Sequence, residues 1–118
     1  MRIGSIVIYC RDFPTMRRFW REALRYVPRE EPEDGWVVLC DPRGPNVNVS
    51  LNRASEPRAE RGRLHPDLYT PDAATEVERL LALGATLHPR RAEPDEDFTV
   101  LADPEGNLFC VVEKRARA

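Results

Sequence analysis

Two halves of this sequence repeat one another in order and spacing. The run Gly4-Ser5-Ile6-Val7-Ile8-Tyr9-Cys10-Arg11 ends at Asp12, and 60 residues on, Leu64-His65-Pro66-Asp67-Leu68-Tyr69-Thr70-Pro71 ends at Asp72. Each run reads as a short strand followed by an aspartate able to cap a helix. After Asp12, the residues Met16, Phe19, Trp20, Ala23 and Leu24 fall on one helical stripe, with Pro14 suited to the first turn. After Asp72 the stripe is shorter (Val77, Leu80, Leu81), and Gly84 suits the C-terminal cap. Val37-Val38-Leu39-Cys40-Asp41-Pro42-Arg43-Gly44 then matches Thr99-Val100-Leu101-Ala102-Asp103-Pro104-Glu105-Gly106, now 62 residues on. Asp-Pro-x-Gly between apolar runs predicts a turn, because proline presets φ and glycine tolerates φ > 0.

Each half therefore predicts strand, helix, and further strands about a hairpin, an α+β pattern. The 118 residues suit one domain, with module one at about 1–52, a charged link at 53–63, and module two at about 64–115. The link lacks large apolar residues, which argues against core structure. Two modules that each leave a sheet face uncovered are expected to bury it by pairing.

Composition excludes several function classes. The formal net charge of −2 gives no field to draw in nucleic acid, and the pairs Arg17/Arg18 and Arg90/Arg91 sit among carboxylates as solvated faces. No stretch approaches the length of a membrane span, and the N-terminal apolar run is too short for a signal peptide. The odd set Cys10, Cys40 and Cys110, without a C-x-x-C pair, fits a reducing cytoplasm. Arginine far outnumbers the single lysine, Lys114, which reads as the codon bias of a GC-rich bacterial genome. The sequence has no nucleotide-phosphate motif.

The opening strand with Asp12, the helix with Phe19-Trp20, and Asp103-Pro104-Glu105-Gly106-Asn107 followed by Leu108-Phe109-Cys110-Val111-Val112 resemble the vicinal oxygen chelate superfamily. That group holds glyoxalase I, bleomycin-resistance proteins and extradiol dioxygenases, and the resemblance is closest to its small glyoxalase-like members. The resemblance covers nearly the whole chain. It implies two βαβββ modules forming an eight-stranded, incompletely closed curved sheet with helices outside, a cleft within the curve, and a homodimer.

The resemblance also implies where a metal would be held in metal-dependent members: on the first and last strand of each module. Those positions are Ser5, Asn48 (or Ser50, if the first turn carries an insertion), His65 and Cys110. Only His65 is a usual ligand, whereas such sites want about three His or carboxylate ligands. No metal and no other cofactor is expected.

Strand alternation extends the cleft reading. If Ser5 and His65 face the cleft, so do Val7, Tyr9, Asp67 and Tyr69, while Ile6, Ile8, Cys10, Leu64 and Leu68 face away. Asn46, Asn48 and Ser50 alternate with Val47, Val49 and Leu51, and Leu108, Cys110 and Val112 share a face. The candidate ligand-binding residues are Ser5, Val7, Tyr9, Asn48, Ser50, His65, Asp67, Tyr69, Leu108, Cys110 and Val112. Trp36 and Phe98 stand either at the rim or in the core. His65 and Asp67, at i and i+2, are the candidate catalytic pair for proton transfer; hydrogen bonding within a polar cleft is the structural alternative. His88 beside Pro89 reads as exposed and inert, and Cys110 as a buried, inert thiol.

The function expected is that of a metal-free binding protein for a small, partly aromatic metabolite or natural product. The alternative is an isomerase, epimerase, lyase or dioxygenase-like enzyme using His65 and Asp67, or a metal at His65. The expected partners are a small organic ligand and a second copy of the chain, with no nucleic acid and no membrane.

Overall fold

A computed structural model describes residues 3–31, 33–54, 65–88 and 97–114. Most of the expected link (55–63), Leu64, Pro89 and the Arg90/Arg91 pair lie outside the described residues. The chain divides into two units, Met1–Ala59 and Glu60–Ala118.

The first unit runs β1 (Ser5–Cys10), α1 (Phe13–Leu24), β2 (Val27–Pro28), β3 (Trp36–Cys40) and β4 (Asn48–Arg53), with the sheet ordered β1-β4-β3-β2. β1 and β4 are parallel, and β2, β3 and β4 form an antiparallel meander. Strands β1 and β2 therefore point the same way from opposite edges, which requires a crossover, and α1 supplies it. The second unit repeats this plan: β5 (Asp67–Thr70), α2 (Ala73–Leu83), β6 (Thr86–Leu87), β7 (Phe98–Ala102) and β8 (Leu108–Glu113), ordered β5-β8-β7-β6. Both βαβββ modules and all eight strands are present, hydrogen-bonded as two open mixed sheets of four, so the α+β class holds. No helix among the described residues is long and apolar enough to cross a membrane.

The repeat persists in side-chain detail. Asp12 accepts from the Thr15 N–H at 3.2 Å and from Thr15 Oγ1 at 2.7 Å. Asp72 accepts from Thr75 at 3.2 Å and 2.8 Å in the same way. These caps satisfy backbone donors that have no partner within the helix. The helix ends differ. Gly84 closes α2 at φ 120, whereas Arg25 takes the left-handed conformation (φ 56) at the end of α1.

Helix α1 buries Phe13, Met16, Phe19, Trp20 and Ala23 against β3 and β4, with Phe19 and Trp20 edge to face at 5.2 Å. Val37, Leu39 and Leu51 meet them from the sheet, all fully buried. In the second unit Leu80 packs toward Leu101, Phe109 and Val111, which are buried on the helix-facing side of β7 and β8. The covered stripe of α2 is Ala73, Val77, Leu80 and Leu83; Leu81, expected on that stripe, is 36% exposed because it lies about 100° around the helix from Leu80.

The two Asp-Pro-x-Gly turns use their aspartates alike. Asp103, 2% exposed, accepts from the N–H groups of Glu105 and Asn107 and from Asn107 Nδ2. Asp41 accepts from the N–H and Nε of Arg43 and from Asn46 Nδ2. Gly106 adopts φ 87, as a turn glycine should; Gly44 is not among the positive-φ residues. The register gives the reason. Val38 pairs with Ser50, and its counterpart Val100 pairs with Cys110. The offset between halves is 62 before the turn and 60 after it, so the first turn is two residues longer and bends without needing its glycine.

Two expectations follow. Asp103→Ala strands the part-buried donors of Glu105 and Asn107, and urea unfolding should show a loss of about 2 kcal/mol. The Arg43 side chain, then its N–H, then Asn46 hold the Asp41 carboxyl down at about 2. Asp12 and Asp72 are also lowered, first by the Thr15 and Thr75 hydroxyls and then by their N–H groups. A lowered carboxylate adds stability above the ordinary value of 3.8 and loses it as pH falls through its folded value. The stability gap between the wild type and Asp41→Asn should therefore be full at neutral pH and close between about pH 4 and pH 2, as read by denaturant melts along a pH series.

Candidate functional site

The register of the second sheet decides which side chains stand together. Asp67 pairs with Cys110 and Tyr69 with Val112 across the parallel ladder. On the other side Val100 pairs with Cys110, Phe98 with Val112 and Ala102 with Leu108. Paired residues project to the same face, so these side chains share the face opposite α2. Tyr69, Phe98, Val100, Leu108, Cys110 and Val112 make an apolar and aromatic wall there. His65, Asp67, His88, Asp97 and Lys114 complete it, around a concavity of about 580 Å³.

Three of the polar groups arrive because the ladders run past the strand ends. Cys110 N–H donates to Pro66 O at 2.9 Å, which holds His65, just before β5, beside β8. Glu113 N–H donates to Asp97 O at 2.9 Å. His88 N–H donates to Val100 O at 3.0 Å and so extends the β6–β7 ladder by one residue. His88 is half-buried on this wall, and its Nδ1 is covered with no hydrogen-bond partner among the described residues. This corrects the reading of His88 as exposed: Pro89 looked like the mark of a loop, but the strand pairing outlasts Leu87.

His65 Nδ1 and Asp67 Oδ1 are 3.3 Å apart, and both side chains are about half exposed. Cys110 lies beneath them, 7% exposed. Donor atoms of His65, Asp67 and Cys110 all lie within 4.8 Å of one another. Lys114 Nζ sits 5.5 Å from the centre of the Tyr69 ring, a cation–π arrangement at the opposite end of the wall. Tyr69 itself is 68% exposed, an unusually open position for an aromatic ring.

The first sheet presents the equivalent face with other chemistry. Ser5 pairs with Asn48, Val7 with Ser50 and Tyr9 with Asn52, while Val38 and Trp36 join from β3. Ser5, Val7, Tyr9, Asn48 and Ser50 thus share one face of their own sheet, as alternation required. Ser5 Oγ and Ser50 Oγ are hydrogen-bonded at 2.5 Å. The two-residue insertion settles the choice between Asn48 and Ser50: Ser50 is the counterpart of Cys110. Ser5 then matches His65, Val7 matches Asp67, Tyr9 matches Tyr69 and Trp36 matches Phe98. Trp36 is half-buried on this face, and Phe98 stands on the wall of the concavity rather than in the helix-side core.

His65, Asp67, Tyr69, Leu108, Cys110 and Val112 were singled out in the sequence, and the structure brings them together. Phe98 was left open, and Val100, His88, Asp97 and Lys114 were missed. Val100 and Phe98 were accessible in principle, since alternation along the strand opposite Cys110 assigns them. His88, Asp97 and Lys114 depend on ladder extensions that no local pattern announces.

The sequence profile of the glyoxalase-like domain family matches residues 5–112. No curated protein sequence matches the chain. Among solved structures, the chain is similar to a glyoxalase/bleomycin resistance protein/dioxygenase family enzyme from Burkholderia phytofirmans PsJN. The identity is 19%, with 94% of this chain and 97% of that one covered and a TM-score of 0.76. It is similar to a member of the same superfamily from Sphaerobacter thermophilus at 23% identity, with 97% and 98% covered and a TM-score of 0.69. A third is a fosfomycin resistance protein from Listeria monocytogenes, in complex with Mn(II) and 1S,2S-dihydroxypropylphosphonic acid. It is 14% identical, with 97% and 90% covered and a TM-score of 0.75. Likeness at these identities carries the fold.

Proposed function

The chain belongs to the glyoxalase-like domain family, and from that premise we propose that it is a small-molecule-binding protein of the glyoxalase/bleomycin-resistance type, holding a small, partly aromatic molecule on the wall of its second sheet. The observation that carries this reading is the wall itself: Val112 between Tyr69 and Phe98, continued by Val100 and Leu108, with the charged groups at the margins. Its volume of about 580 Å³ suits a metabolite-sized ligand, and an apolar floor with a few placed polar groups is the usual make-up of such sites. Names among the structural relatives include both an enzyme and a resistance protein, which supports the class and no single substrate. Retention rests on apolar and ring contacts, so it asks for no metal.

A planar aromatic ligand should raise the melting temperature of the protein in a differential-scanning series. Val100→Arg, which fills the wall with a charged side chain, should weaken that ligand by at least about tenfold in calorimetry, and Tyr69→Ala by about tenfold. Arg18→Ala, on the exposed face of α1, should leave it unchanged. Absence of any shift across a panel of planar mono- and bicyclic compounds, or unchanged binding in Val100→Arg, overturns the reading.

The 3.3 Å approach of His65 to Asp67 at the edge of the concavity favours a second reading, in which this pair moves a proton on the bound molecule. That reading requires a ligand C–H to exchange in deuterium oxide when protein is added, as seen by proton NMR. The exchange should vanish in His65→Ala while ligand affinity survives. A ligand that binds without exchange leaves only the binding function.

A further inference from the structure

We propose that the molecule held on the second sheet is an aromatic amino acid, with its ring between Tyr69 and Phe98, its carboxylate on Lys114 and its ammonium on Asp97. The inference rests on the reading of that wall as the ligand site and names the class of molecule it takes. The ladder builds the place for the ring. Tyr69, Val112 and Phe98 are paired straight across β5, β8 and β7. The two rings therefore flank Val112 from strands two spacings apart, about 10 Å between backbones. A third ring standing on Val112 has each neighbour at about 5 Å, within the range at which aromatic rings attract one another. Tyr69 is 68% exposed, so its ring is open to such a partner.

The positions next to this row supply charge. Lys114 follows Val112 by two residues, and Asp97 directly precedes Phe98. Both are exposed and both line the concavity. Their backbones are held at the end of the sheet, Lys114 N–H donating to Thr70 O at 2.8 Å and Glu113 N–H to Asp97 O at 2.9 Å. Neither side chain has an ion-pair or hydrogen-bond partner among the described residues, and Lys114 Nζ lies 5.5 Å from the centre of the Tyr69 ring. The cation thus leans toward β5 while the carboxylate starts from β7, and the two do not neutralise each other. His65 and Asp67 differ in this respect, since they face one another at 3.3 Å. An aryl carboxylate alone satisfies Lys114 and meets the repulsion of Asp97, and an arylalkylamine does the reverse. A molecule that carries both groups answers both, through charge-assisted hydrogen bonds.

The first module carries the same backbone without the charges. Ala54 N–H donates to Cys10 O at 2.8 Å and Arg53 N–H to Gly35 O at 2.8 Å, the counterparts of the two bonds above. Ala54 and Gly35 stand where the second module has Lys114 and Asp97, and Asn52 stands where it has Val112. This end of the sheet therefore forms without either charged side chain, and folding does not call for them. The second module has placed one cation and one anion, the cation being the single lysine of the chain, beside its only row that sets an apolar floor between two rings.

The test is calorimetric titration of the full chain with L-phenylalanine and three relatives: 3-phenylpropionate, which lacks the ammonium, phenethylamine, which lacks the carboxylate, and 2-phenylethanol, which has neither charge. At low salt L-phenylalanine should bind at least about fivefold more tightly than each relative, the scale of one exposed charge contact, and the advantage should shrink as salt is raised. Lys114→Ala should erase the advantage over phenethylamine, and Asp97→Asn the advantage over 3-phenylpropionate. Both variants should keep their circular dichroism and melting temperature, since alanine occupies the equivalent position at Ala54 and asparagine keeps the size of the side chain. Tyr69→Ala should weaken all four compounds, which separates the ring slot from the charges. If 2-phenylethanol binds as tightly as L-phenylalanine, or the advantage survives both charge variants, the inference is overturned and the small-molecule reading stands. The same holds if other planar compounds raise the melting temperature and none of these four binds. If no aromatic compound binds at all, the reading of the wall falls and this inference with it.

Discussion

Parallel pairing between the first and last strand of a module is the constraint from which the rest follows. β1 lies beside β4 and β5 beside β8, in both cases running the same way. Two parallel strands cannot be joined by a tight turn, so a helix must carry the chain across one face of the sheet. That helix covers one side, drives Leu51, Val37 and Leu39, or Phe109, Val111 and Leu101, into its shadow, and leaves the other side without a helix of its own module. The residues of the candidate site stand on that other side. The pairing also sets the register without slack: a shift by one residue would turn Asp67 and Cys110 to the helix and expose Leu68 and Val111. Burial of the helix side therefore fixes which groups meet on the other.

The duplication was legible because both copies keep the same punctuation. Asp12 and Asp72 each cap a helix through a threonine three residues later, and Asp41 and Asp103 each gather the donors of their own turn. These are local signals, written within five residues, and a chain reader can see them. The α1 stripe was legible for the same reason, since five large or small apolar residues fall at helical spacing. The α2 stripe was legible only in part. Leu81 fitted the spacing as well as Leu83 does, and only the direction of the sheet decides between them.

The site was less legible than the fold, and the reason is geometric. Alternation says which residues of one strand share a face; it does not say which strand lies beside it. His65 and Tyr69 came from the first strand of module two and Cys110 and Val112 from the last, and the resemblance rather than the pattern joined them. The side chains that went unnoticed come from the hairpin's other arm and from ladder ends. His88 is held by a single backbone bond to Val100 just past a two-residue strand. A proline next door disguised it, because Pro89 removes the donor of the following residue and not that of His88 itself.

The two copies have kept their backbones and parted in their side chains. At matching registers, Ser5 and Ser50 correspond to His65 and Cys110, Val7 to Asp67, and Trp36 to Phe98. The first module's pair of hydroxyls satisfies itself. The second module sets an imidazole against a carboxylate at 3.3 Å instead, with a thiol nearby. The backbone tolerates either filling, because all these positions lie on the face that α1 and α2 do not touch. Function in such a chain can therefore change by substitution on the face away from the helices, and Val7 against Asp67 at one shared register is such a change.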